Sequence, residues 1–116
     1  MSSRTLEQRL QDILSQAEEI LQFTRGMNFS DFAGDAKTVK AVLYDLAVIG
    51  EAARSLLPDI LDVYPDVPWE DMRSLRNFTV HEYFRVNLKI IWATIQEDLP
   101  PLIEQIRELI AKIEIG

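Results

Sequence analysis

A single imidazole, His81, stands among side chains of the kind that handle phosphate esters. It lies in the octapeptide Arg76-Asn77-Phe78-Thr79-Val80-His81-Glu82-Tyr83, with an arginine five positions before it and a tyrosine two after. A neutral imidazole exchanges a proton near neutral pH, and a guanidinium stabilises charge developing on a phosphoryl oxygen. Arg76 and His81 are therefore the candidate catalytic pair, and Asn77 could orient one imidazole nitrogen. Arg73, Arg85 and Lys89 extend the positive charge as candidate residues for binding a phosphate-bearing ligand. From Arg73 to Lys89 four cations face one acid, Glu82, for a net +3, whereas the whole chain carries −7. An acidic protein repels polyanions at long range, so a basic island within it suits one phosphate-bearing ligand. A plainer reading competes: a lone histidine near a helix end as a surface or capping residue, and the arginines as a solvated face.

Moving the proton of a ribose 2′-hydroxyl while protonating the leaving oxygen calls for two acid-base groups, and the chain has one histidine. On an ideal helix Asn77 and His81 share a face, while Arg76 and His81 lie about 140° apart. Either the helix unwinds near Val80 or the residues meet across a subunit boundary, where a two-fold homodimer would supply a second His81. With no cysteine and one histidine, a protein cage for a metal ion is not expected, so phosphodiester cleavage here is expected to be metal-independent, without a cofactor.

The elements that must position these residues are legible from apolar spacing. Leu6, Leu10, Ile13, Leu14, Ala17, Ile20 and Leu21 predict a helix over 5–25, with a capping box at Thr5 and Gln8 and a left-handed C-terminal residue at Gly26. Residues 27–34 read as a connection whose Met27, Phe29 and Phe32 tuck against the core. Asp35 suits the N-cap of a second helix reaching Leu57, with Val39, Val42, Leu43, Leu46, Ile49, Ala53 and Leu56 inward. Gly50 in its interior implies a close helix approach or a functional neighbour. Asp45 and Glu51 are expected to face solvent, although Glu51 could instead reach Arg76 and hold it.

Pro58 to Pro68 predicts a loop with one short turn at 59–63. Pro68 suits the first position of a third helix, with Trp69, Met72 and Leu75 inward, that leads into the octapeptide. Val86-Asn87 predicts the cap of a helix over 88–97, and Pro100-Pro101 the opening of another. Trp69 and Trp92 read as core rather than as stacking platforms. No stretch alternates with period two, which gives an all-α fold: an antiparallel four-helix bundle with an additional short or broken helix, as one domain over 1–116.

Composition, 47% apolar and 27% charged, is that of a globular protein. Without cysteine, disulfides and thiol chemistry are excluded. Met1 to Thr5 carries no signal-peptide pattern, and no apolar run approaches the roughly 18 residues of a membrane span. A cytoplasmic protein without a membrane partner is expected.

The arrangement Arg, four residues, His, one residue, Tyr, with Asn directly after the Arg, resembles the signature of HepT-like toxins of the HEPN-domain superfamily. Pro68-Trp69, Tyr83-Phe84, Ile91-Trp92, Asp98-Leu99-Pro100-Pro101-Leu102 and Ile49-Gly50-Glu51-Ala52 are similar to that family too, so the likeness spans the chain. The resemblance implies an all-α, homodimeric, metal-independent RNase toxin of a type II toxin-antitoxin system, acting on tRNA or mRNA. It implies Arg76 and His81 as the catalytic pair and Asn77 as a residue shaping the site. Tyr83 is implied as the position where a cognate minimal nucleotidyltransferase antitoxin attaches AMP, whose bulk and charge would repel RNA. Two rival readings are a non-catalytic helical subunit that binds a nucleotide or docks a nucleotidyltransferase, and a purely structural bundle.

Overall fold

The computed structural model of the chain describes residues 3–77 and 87–115. Every regular element among them is helical: α1 (Ser3–Phe23), α2 (Phe29–Ala33), α3 (Ala36–Leu56), α4 (Asp59–Val63), α5 (Trp69–Ser74), α6 (Leu88–Ala93) and α7 (Leu99–Ile115). A 3-10 turn at Leu75–Asn77 follows α5, and a π turn at Thr94–Asp98 joins α6 to α7. The fold is the all-α bundle that the spacing predicts. No described helix is long and apolar enough to cross a membrane.

In α1 the stripe Leu10, Ile13, Ala17 and Ile20 is fully buried. The described helix already includes Ser3, so Thr5 and Gln8 lie within it and not at its N-cap. At its other end Gly26 has φ +78, the left-handed conformation that a residue without Cβ adopts freely. The predicted connection over 27–34 contains a helix of its own. The Asn28 side chain accepts from the Asp31 N–H (2.8 Å), and the Asp31 carboxylate accepts from the Asn28 N–H (3.2 Å), a reciprocal cap that nucleates α2. That turn drives Phe32 into the core, with its ring centroid 5.3 Å from that of Trp92.

Asp35 caps α3 as predicted, accepting from the Thr38 N–H (3.2 Å) and hydroxyl (2.9 Å). The short turn expected at 59–63 is α4, and Pro68 sits one position ahead of α5 rather than at its first residue. Trp69 is fully buried and donates its indole N–H to the Tyr64 carbonyl at 2.7 Å. Asn87 caps α6 by accepting from the Lys89 N–H (2.9 Å).

α7 opens at Leu99 with Pro100 and Pro101 in its first turn, as predicted, but without a break from the element before it. The Leu99 N–H bonds the Thr94 carbonyl, five residues back, and the helix runs on through both prolines. Proline lacks an N–H and its ring crowds the carbonyl four residues before it; a widened π turn at that point removes the conflict without ending the helix.

α1 packs against both α3 and α7, while α5 and the 3-10 turn lie on α3. The buried apolar residues of these elements form one cluster. Each large side chain in it contributes roughly 1.5–3 kcal/mol by leaving water. One acid breaks the pattern. Asp45, expected to face solvent, is only 3% exposed, because it lies on the inward stripe between Val42 and Ile49. Burial, the charge of Glu19 and a hydrogen bond shared with Glu19 push its carboxyl up to about 7.

Candidate active site

α3 carries the platform of the site at Gly50-Glu51. Gly50 sits on the buried stripe, four residues after Leu46 and three before Ala53, so whatever packs there comes up against helix backbone. What packs there is α5 and its 3-10 turn, anchored by the buried Trp69, Met72 and Leu75. A Cβ on Gly50 would fall 2.7 Å from the Arg76 backbone nitrogen, 3.0 Å from the Arg76 Cγ and 3.1 Å from the Met72 carbonyl oxygen. Contacts that short leave no room for a side chain, so the glycine is what allows Arg76 to lie against α3.

The next residue reaches Arg76 as well. The Arg76 Nε stands 3.3 Å from the Glu51 Oε2, with both side chains about half exposed. Both readings of Glu51 describe its surroundings: the side chain is half exposed and lies within ion-pair distance of Arg76. So exposed a pair adds little to stability, and its effect is on the direction of the guanidinium. Glu51 also receives Arg54, whose Nε lies 3.1 Å from Oε1 and 3.2 Å from Oε2. Its carboxyl is held below the usual range by the hydrogen bond from Arg54 and by the charges of Arg54, Arg76 and Arg9, so it stays ionised at neutral pH.

The octapeptide opens on the 3-10 turn. Regular α-helix ends at Ser74, so Arg76 and Asn77, its first two residues, are wound more tightly than the roughly 100° per residue of an α-helix. Asn77 closes the turn in an exposed position. Arg73 does not join Glu51; it pairs with Glu70 on its own helix at 2.6 Å. Lys89 stands exposed in the first turn of α6. His81, Tyr83 and Arg85 lie outside the described residues.

Two members of this constellation escape the sequence reading as site residues, Gly50 and Arg54. Gly50 carried a signal, a glycine on an inward stripe, but not the identity of its neighbour. Arg54 had only its spacing of three from Glu51, which any surface ion pair shares. Beside the site a cleft of about 420 Å³ runs between α5 and the π turn, lined by Met72, Ser74, Leu75, Ile90, Thr94 and Asp98 among others. Among the described residues no three His, Cys, Asp or Glu side chains gather to hold a metal ion.

A family model described as ribonuclease HepT-like matches residues 13–109. The chain is 41% identical over 114 residues to a protein of Methanocaldococcus jannaschii named as a candidate RNase, covering 98% of this chain and 94% of that one. Identity is 38% over 99 residues to a protein of Thermococcus cleftensis named as a probable ribonuclease HepT, with 85% and 90% covered. It is 35% over 103 residues to a candidate RNase of Caldanaerobacter subterraneus, with 89% and 92% covered. No solved structure matches the chain significantly.

Proposed function

Because the chain belongs to the HepT-like ribonuclease family, we propose that it cleaves RNA without a metal ion, as the toxin of a type II toxin-antitoxin pair. The observation that carries this reading is Arg76, seated against Gly50 and aimed by Glu51 while its guanidinium stays half open to solvent. A guanidinium so placed suits the developing charge of a phosphoryl oxygen.

In this reading the neutral His81 imidazole takes the proton of the ribose 2′-hydroxyl. The 2′-oxygen attacks phosphorus, the bond to the 5′-oxygen breaks, and an acid protonates the leaving oxygen. Products are a 2′,3′-cyclic phosphate and a 5′-hydroxyl. A second His81, contributed by a two-fold partner chain, is the acid, which makes the homodimer the active unit. Asn77 shapes the site, and Arg73, Arg85 and Lys89 attract the RNA. A nucleotidyltransferase antitoxin silences the protein by placing AMP on Tyr83, which brings bulk and negative charge to the RNA-phosphate site.

The test is cleavage of total tRNA by purified protein in EDTA, beside His81→Ala and Arg76→Ala. Each substitution should lower the rate by about 10²-fold or more. Equal cleavage by all three proteins would overturn the assignment. Growth arrest on induction that persists without His81 would favour a non-catalytic partner subunit instead.

A further inference from the structure

We propose that Arg54 is a second phosphate-binding arginine of this site, gripping the RNA backbone next to the phosphodiester that Arg76 engages; the proposal rests on the ribonuclease reading above. Two guanidiniums from different elements, the last turn of α3 and the 3-10 turn, converge on one carboxylate. The Arg54 Nε and the Arg76 Nε lie 3.2 Å and 3.3 Å from the same atom, the Glu51 Oε2. The two cations are therefore neighbours, and a single anion stands between them.

One carboxylate does not neutralise two guanidiniums, and Arg9 on α1 is close enough for its charge to act on Glu51 as well. Among the described residues the result is two arginines paired with one acid, with the charge of Arg9 acting on it from α1, in a chain whose net charge is −7. Such a surplus is unfavourable in the free protein and is relieved by an anionic ligand. Arg76 pairs with Glu51 by charge at its Nε, and Arg54 donates its Nε–H and one Nη2 hydrogen. A guanidinium has five N–H donors, so each retains others for phosphate oxygens. Both side chains are about half exposed, Arg54 at 51% and Arg76 at 49%, and a polynucleotide strand can reach both.

An ordinary Glu-Arg pair three residues apart on a helix would also place Arg54 on Glu51. Separating that role from phosphate binding needs a readout that a structural pair leaves alone, and salt dependence provides one. Each phosphate contact on a single strand contributes about −0.7 to the slope of log affinity against log salt.

The experiment measures binding of a short single-stranded RNA to His81→Ala protein, and to the same protein with Arg54→Gln or Arg54→Lys, from low to moderate NaCl. Arg54→Gln should weaken binding several-fold at low salt and make the slope shallower by about 0.7. Arg54→Lys, which keeps the charge, should keep the slope. In a His81-intact background Arg54→Gln should raise KM by more than it lowers kcat. An unchanged affinity and slope with Arg54→Gln, a loss confined to kcat, or no RNA binding at all would overturn the proposal. Failure of the ribonuclease reading is seen separately, as undiminished cleavage by Arg76→Ala and His81→Ala, and does not alter the slope.

Discussion

Asp45 and Glu51 stand six residues apart on one helix and have opposite lives. Asp45 faces α1, where it is buried beside a second acid and its Oδ2 has no hydrogen-bond partner among the described residues. Glu51 faces the 3-10 turn, half exposed among arginines. Desolvation and a like charge push the first carboxyl up to about 7, while hydrogen bonds and opposite charge hold the second down. The helix face, and not the residue type, decides how readily each acid ionises. Only Glu51 is in a position to organise a cation.

The largest effect expected from this contrast is on stability. Folded Asp45 keeps its proton up to about pH 7, whereas an unfolded aspartate releases it near 3.8. Between those values the native state binds more protons than the unfolded state, so stability falls as pH rises from about 4 to about 7 and then levels off. The span is on the order of 4 kcal/mol at most. Asp45→Asn should flatten the dependence of the melting midpoint on pH between 5 and 8. Parallel curves for the two proteins would break the comparison at its buried end.

At the exposed end, Gly50→Ala should be the more damaging change. Its Cβ would displace Arg76, and a shift near 1 Å at a catalytic group costs about 10²-fold in rate. Overpacking adds roughly 1–3 kcal/mol of destabilisation, visible in a melt. Wild-type kcat in that variant would mean that the position of Arg76 is not set by α3. Glu51→Gln keeps the shape and removes the charge, and a decrease in kcat of roughly tenfold is expected from looser aiming of the guanidinium. Kinetics on one RNA substrate decide this, and an unaltered kcat would leave Glu51 as no more than a neighbour.

Much of the frame was legible because local chemistry fixed it. The Asp35 cap, the left-handed Gly26, the turn at 59–63 and the Asn87 cap each depend on residues within four positions of one another. Asp45 was misread although its register was visible: three residues after Val42 and four before Ile49, it had to point inward. Expecting an acid to face water outweighed that spacing. The contact of Arg76 with Gly50 was hidden for another reason. It joins residues 26 positions apart, and spacing along a chain shows that a glycine permits a close approach without naming what approaches. The continuity of α6 with α7 was missed because the proline rule was applied to α geometry, and the chain adopts π geometry there.

That π turn also acts as a clocking element. An α-helical residue turns the chain by about 100°, so loss of a single residue from Thr94–Asp98 would rotate α6 by roughly a quarter of a circle around the axis of α7. Residue 87, where the chain returns after the octapeptide, rides at the far end of α6. The composition of α7 and its anchorage would be untouched, yet the bearing from which the chain enters α6 would differ. Angular alignment of residues 77 and 87, between which the rest of the octapeptide lies, thus depends on the residue count of that turn.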